Sequence, residues 1–277
     1  MAKRSVVSVV GCGRVGGAIG LALQRAGYTV AAAWSRSRTG RQRAHRILDV
    51  PVLADPAQVA GAGDFVVVAV PDDAIQEITE QLAKGVRSRA FVVHTSGGTT
   101  VNALAPAKQA GARTASMHPL QSIPDAVHGA DALRGAAVAV TCATEDRLDL
   151  FRFARAWGGR PFFLPDEAKP RYHAAAVFAS NFVVSSVWAA TSLLREVGVR
   201  DALNVVGPLV RSTADNVITR GPAKAITGPI VRGDAQTIRR HVEELASAEP
   251  EVLEAYRALA KLTAHLVGMD DEIGGAL

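Results

Sequence analysis

Acidic side chains are missing from the first 48 residues of this 277-residue chain; Asp49 is the first. Cysteine is scarce as well. Cys12 and Cys142 are too few for a disulfide framework or a four-thiolate zinc site. Aromatic residues make up only 5% of the chain, so close helix–sheet packing through Ala, Val and Gly is expected instead of a ring-rich core. No unbroken apolar run reaches the roughly 18 residues of a membrane span, and no membrane partner is expected. The basic segment Met1 to Arg4 leads straight into a Val-rich run and a glycine turn, unlike a signal peptide, so the expected location is cytoplasmic. What is present, 48% hydrophobic and 21% charged residues, is an ordinary globular composition, long enough for one large or two ordinary domains.

The net charge of +5 is unevenly spread. Residues 1–50 carry nine Lys and Arg against one acid, and the remainder of the chain is slightly acidic. A basic arm of this kind suits nucleic acid, but no aromatic platform accompanies the arginines, so no nucleic-acid partner is expected. The excess lies inside a regularly patterned segment. That points to a local anionic ligand.

From Ser5 to about Leu164, short β-branched runs alternate with helical patterns. The runs are Val6–Val10, Thr29–Trp34, Phe65–Val70, Phe91–His94, Thr114–Met117, Ala136–Thr141 and Pro161–Leu164. Such alternation predicts an α/β fold, a doubly wound, mostly parallel sheet with helices on both faces. From Asp166 onward only helical windows remain, over 168–197, 200–220, 234–247 and 250–268. The expected organisation is a sheet domain over 1–165 and an all-helical domain over 166–277.

The first strand runs into Gly11-Cys12-Gly13-Arg14-Val15-Gly16, a complete G-x-G-x-x-G between strand and helix. Gly11 permits the tight turn, Gly13 the approach of a pyrophosphate, and Gly16 close packing of helix on sheet. Gly17 and Gly20 continue the smooth helix face. The helix start then offers free N–H groups and a positive dipole end to phosphate oxygens. A dinucleotide-binding Rossmann domain follows. About 20 residues later, NAD-selective domains place an acid for the ribose hydroxyls, whereas Arg accommodates a 2′-phosphate. Here that position reads Ser35-Arg36-Ser37, and the expected cofactor is NADP, held by those three donors. Arg43 and Arg46 read as a solvated helix face.

Ligands of open α/β sheets lie beyond the carboxyl ends of the strands. Val70-Pro71 ends one strand, with Pro71 expected along the cofactor and Asp72 or Asp73 expected to cap the next helix. His94-Thr95-Ser96-Gly97-Gly98 ends another, a turn of small donors expected at the nicotinamide end. His118 precedes Pro119 and is held extended, so its imidazole can face the crevice.

The first helix of the second half begins Lys169-Pro170-Arg171-Tyr172-His173 and is expected to run on through Asn181. Pro170 suits a first helical turn. His173 and Asn181 are eight residues apart, about 80° around a continuous helix, and would share its face. A His and an Asn on an apolar helix demand partners: a proton donor with an orienting amide, or a satisfied core pair. A metal site from His94, His118 and His173 is a third reading, although no close ligand spacing is present. Further on, Thr227-Gly228-Pro229-Ile230-Val231-Arg232-Gly233-Asp234 predicts a rigid turn. Asp234 is a candidate N-cap, and Arg232 is either a carboxylate clamp or an ion-pair partner.

Taken together these residues resemble the Rossmann-like proteins whose C-terminal half is a domain of unknown function. Those proteins are distant relatives of ketopantoate reductase, pyrroline-5-carboxylate reductase and the 6-phosphogluconate dehydrogenase group. The resemblance rests on the glycine turn at 11–16, Val70-Pro71-Asp72, His94-Thr95-Ser96-Gly97 and His118-Pro119-Leu120. In the second half it rests on Lys169, Tyr172-His173-Ala174-Ala175, Ala179-Ser180-Asn181 and the Thr227–Asp234 block. It implies an NADP-binding domain and a helical domain that commonly forms a homodimer. The wider group often carries a Lys and an Asn on the first C-terminal helix. Here His173 stands near that Lys position, Lys169 lies one turn earlier, and Asn181 matches a second Asn of ketopantoate reductases, with Val177 between.

The expected activity is hydride transfer between NADPH and a small carboxylate-bearing carbonyl substrate, ketopantoate-like in its chemistry. His173 is preferred over Lys169 as proton donor, since an ordinary His titrates near pH 6.5 and an ordinary Lys near about 10.4. Asn181 is expected to orient the substrate oxygen, Ser96 and His118 to border the nicotinamide, and Arg232 to hold a carboxylate. The alternatives are an imine reductase resembling pyrroline-5-carboxylate reductase, and a non-catalytic NADP-binding sensor.

Overall fold

A computed structural model describes residues 5–277; Met1–Arg4, and with them the reading of that basic segment, lie outside the described residues. The chain divides into two compact units, residues 1–180 and 181–277. The division falls one helix later than the expected 165, because the segment after Leu164 groups with the sheet.

Seven strands form one sheet: β1 (Val6–Val10), β2 (Thr29–Trp34), β3 (Phe65–Val68), β4 (Phe91–His94), β5 (Arg113–Leu120), β6 (Ala137–Thr141) and β7 (Arg160–Phe163). Their order is β2-β1-β3-β4-β5-β6-β7. All neighbours pair in parallel except β5 with β6. The order reverses at β1, with β2 on one side and β3 on the other, and a crevice opens at such a switch point. Around the sheet lie α1 (Arg14–Arg25), α2 (Arg38–Leu48), α3 (Pro56–Ala62), α4 (Ile75–Leu82), α5 (Ala105–Gln109), α6 (Ala126–Ala132), α7 (Arg147–Ala156) and α8 (Lys169–Ala179).

The strands are apolar on both sides because both faces are covered. Phe65 and Val67 pack with Ile19, Leu23 and Phe153 on one face, while Val66 and Val68 pack with Ile75, Ile78 and Leu82 on the other. The glycine face of α1 allows the closest contacts. A Cβ on Gly17 would stand 2.8 Å from the Ala126 Cβ, and one on Gly20 2.9 Å from Leu48 Cδ2.

In the second unit are α9 (Asn181–Glu196), α10 (Ala202–Arg220), α11 (Pro222–Ala225), α12 (Ala235–Leu245), α13 (Pro250–Val267) and α14 (Asp270–Gly274). A small core gathers Ile238, Ala264, Ile273 and Ala276. The expected continuous helix over 168–197 is broken: Ser180, at φ −130° and ψ −73°, separates α8 from α9. By length and composition the stretch Asp166–Glu196 is apolar enough to cross a membrane, with a mean hydropathy of 1.5 over 18 residues and 6% of that window buried. The break at Ser180 divides this stretch, and no unbroken apolar run within it reaches about 18 residues. Phe182, Val184 and Trp188 on α9, and Leu209 and Ile218 on α10, are exposed.

Candidate active site

The loop after β1 is built as its glycines require. Gly11 has φ +94°, and a Cβ there would lie 2.4 Å from the Ala69 carbonyl oxygen. A Cβ on Gly16 would lie 2.0 Å from the Gly11 oxygen. Gly13 is different, because nothing lies within 4 Å of where its Cβ would be. Space is therefore left beside the one glycine that a pyrophosphate must approach. Arg14 and Val15 open α1, whose first turn has neither a capping side chain nor an acid. Its N–H groups are left to a ligand.

A cleft of about 400 Å³ continues from Gly11, Cys12 and Gly13 past Val70 and Pro71 to Ser35, Arg36 and Ser37. Sequence reasoning missed several of its walls. Trp34 lines it, with its indole N–H donating to the Ala54 carbonyl at 3.1 Å, and so do Glu77 and Gln81 of α4. Arg43, exposed as expected of a solvated face, lines it too; it is three residues beyond Gly40, which shares that side of α2 and also lines the cleft. Ser37 also caps α2, accepting from Gly40 N at 3.0 Å. Arg41 braces the turn through the carbonyls of Arg36 (2.7 Å) and Ser35 (3.3 Å). These residues fit a dinucleotide: open space at Gly13, free N–H groups at α1, and two guanidiniums at the far end. Burial pushes the Cys12 thiol up to about 12, so it lines the turn as an inert group.

At the neighbouring ends of β4 and β5 a second cluster forms within the same unit. Ser96 is its hub. Its hydroxyl donates to Asp72 Oδ2 at 2.6 Å and accepts from the N–H of Gly98 (3.2 Å) and of Thr99 (3.0 Å). Asp72 is thus held by Ser96 and caps no helix, contrary to expectation; Pro71 and Ala74 occupy the two capping positions there, without side-chain bonds. Ser96 N donates to His94 Nδ1 at 3.2 Å, and burial, then the charge of Lys169, push His94 down to about 3. Thr95 joins the same turn.

Lys169 is 1% exposed, and its ammonium donates to Ser116 Oγ at 2.7 Å and to the Ser96 carbonyl at 3.3 Å. Desolvation lowers its pKa to about 8, against the pull of Asp166 and Asp72. This places Lys169 beneath the Ser96 turn as a support. His173, one turn along α8, is exposed and stands over Gly97 and Gly98. His118 approaches Gly97 from the other side: a Cβ there would meet His118 Nε2 and His173 Cδ2, each at 3.0 Å. His118 Nδ1 lies 2.7 Å from the Tyr172 hydroxyl, and its ring meets His173 edge-on at 6.3 Å.

The remaining two expected site residues belong to the second unit. Asn181 begins α9 beyond the break at Ser180, so the helical periodicity that would align it with His173 is interrupted. Arg232 is exposed on a turn fixed by Gly228 (φ +106°) and Gly233 (φ +66°). Asp234 caps α12 through Thr237, as expected. Among the described residues Arg232 forms no ion pair with Asp234.

A parallel sheet reversing at β1, a glycine turn feeding α1 and a cleft across the switch point define a Rossmann-type dinucleotide-binding fold. Residues 1–119 match the Rossmann-like domain and residues 136–263 match the domain of unknown function DUF2520, so the chain is a Rossmann-like protein with a DUF2520 C-terminal domain. No curated protein matches it. Among solved structures, a Bacteroides fragilis protein described as an NADP oxidoreductase is similar over 95% of this chain and 98% of its own, at 23% identity and a TM-score of 0.82. An imine reductase from a Pseudomonas species is similar over 99% of both chains, at 18% identity and 0.68. A pyrroline-5-carboxylate reductase from Coxiella burnetii is similar over 95% and 99%, at 17% identity and 0.60. The chain shares its fold with these enzymes.

Proposed function

We propose that the chain is an NADP-dependent oxidoreductase acting on a small carboxylate-bearing carbonyl compound. One observation carries this reading: the cleft at the switch point holds Arg36 and Arg43 at one end, and its Pro71 wall leads through Asp72 to Ser96, His118 and His173. NADPH, when bound, would supply the hydride. The loop at 11–16 and the α1 N–H groups would hold its pyrophosphate, and Arg36 and Arg43 its 2′-phosphate. His173, exposed above Gly97, is the proposed proton donor to the substrate oxygen, and His118, edge-on to it at 6.3 Å, borders the same position. Lys169 is too enclosed to reach a ligand directly, and its role is to hold Ser96 and Ser116 in place. The chemistry balances: carbon gains a hydride, the carbonyl π pair moves to oxygen, and oxygen gains the proton that leaves His173.

Of the proteins of like fold, one is described as an imine reductase and another as a pyrroline-5-carboxylate reductase, so an imine is the second reading. NADPH oxidation followed against a panel of 2-keto acids, ketopantoate included, and the cyclic imine pyrroline-5-carboxylate decides between them. Turnover of neither, with NADPH bound, would leave a nucleotide sensor.

The exposed Phe182, Val184 and Trp188 support a homodimer through the helical unit. The break at Ser180 leaves α9 at 16 residues, short of the roughly 20 that cross a bilayer, which favours a second copy over lipid as its cover.

A further inference from the structure

The Tyr172–His118 contact does something that the proposed chemistry has not yet used. It joins a phenol to one particular nitrogen, Nδ1, at 2.7 Å, with the rings edge-on at 85° and centroids 5.5 Å apart. A neutral imidazole carries one proton on either nitrogen, and the bond made by one nitrogen decides the state of the other. A phenol is a better donor than acceptor, and an imidazole nitrogen lone pair is a good acceptor. The pair therefore settles with Tyr172 O–H donating to Nδ1, which leaves the ring proton on Nε2.

We propose that Tyr172 is a positioning residue that locks His118 as its Nε2–H tautomer, so that Nε2–H donates a hydrogen bond to the oxygen of the substrate being reduced. Three observations support it. Among the described residues Nε2 makes no hydrogen bond. Nε2 is turned toward Gly97, the glycine whose missing Cβ would otherwise stand 3.0 Å from it and from the proposed proton donor His173. Finally, the surroundings keep both partners uncharged: burial, then His173 and Lys169, push His118 down to about 4, and burial pushes Tyr172 up to about 12. A neutral N–H donor and a separate proton source then flank one backbone position, and two different jobs fall to two histidines. The neutral one polarises without competing for the proton.

This inference rests on the proposed reduction for its substrate, but the tautomer is read from the imidazole itself. Long-range ¹H–¹⁵N spectra of the full chain, with His118 assigned by the loss of its signals in His118→Gln, should show the proton on Nε2 and Nδ1 as a hydrogen-bonded acceptor. In Tyr172→Phe the Nδ1 resonance should move to the position of a free acceptor. A wild-type spectrum with the proton on Nδ1 overturns the proposal even if the enzyme is active. With ketopantoate, or whichever 2-keto acid the panel finds active, Tyr172→Phe should lower kcat by about tenfold to a hundredfold, with NADPH affinity unchanged within about twofold. His118→Gln, whose amide nitrogen reaches the place of Nε2, should retain more activity than His118→Asn. Equal kcat in wild type and Tyr172→Phe, or equal loss in the Gln and Asn variants, overturns it as well.

Discussion

Ser96 Oγ and Asp72 Oδ2 meet at 2.6 Å, tying the turn after β4 to the segment after β3, which also walls the cofactor cleft. The same hydroxyl accepts two backbone N–H groups, so one small side chain holds three neighbours. Ser96→Ala should cost roughly 1 to 3 kcal/mol by leaving those groups without their acceptor, seen as a lower midpoint in urea. A midpoint unchanged within error would mean that water replaces the hydroxyl and that the turn does not depend on it.

Cofactor choice is tested at Arg36. Charge-assisted bonds to a phosphate contribute about 1.5–3 kcal/mol. Arg36→Asp should therefore weaken NADPH at least tenfold in calorimetric titration and leave NADH no weaker than before. NADPH affinity that survives the substitution would shift the 2′-phosphate role to Arg43 or remove it.

Gly11 tolerates no side chain. Its φ of +94° and the 2.4 Å approach to the Ala69 oxygen combine backbone strain with overpacking, and Gly11→Ala should destabilise the fold by roughly 2 to 5 kcal/mol. Gly13→Ala, with open space around it, should leave the melting temperature nearly unchanged and instead weaken nucleotide binding. The contrast between the two variants is the measurement. Equal melting losses would contradict it.

Lys169 gives a pH signature of definite sign. Its pKa is about 8 in the folded protein and 10.5 ordinarily, so between these values the unfolded chain binds more protons and stability rises with pH. Below about pH 8 the full cost of the enclosed charge is present, on the order of 3 kcal/mol; above about 10.5 it is gone. Denaturant unfolding of the wild type minus that of Lys169→Met should climb across this window. A flat difference would mean that the ammonium is as well solvated inside as out.

His173→Ala should reduce kcat by about 10²–10⁴-fold, the range of general acid catalysis, with little change in NADPH binding. Full turnover in this variant would remove His173 from the chemistry.

Much of this was readable in the residues, and what was not has identifiable causes. The strands and the glycine turn declared themselves because period and φ requirements are local; β1, β2 and β4 match their expected spans, and Gly11 and Gly16 fill their assigned roles. The missed features depend on contacts between distant segments. Asp72 looks like a helix cap until Ser96 is seen 24 residues away, and Lys169 looks available until Ser116 closes over it. Arg43 needed the pitch of α2 to reach the cleft. The break at Ser180 has only a weak local signal, a Ser–Asn pair in an apolar helix, and it interrupts the periodicity between His173 and Asn181.

That interruption has a mechanical corollary. Because α8 belongs to the same compact unit as the sheet, His118, His173 and the nucleotide cleft stand on one folded body, whose internal geometry is set without the chain beyond residue 180.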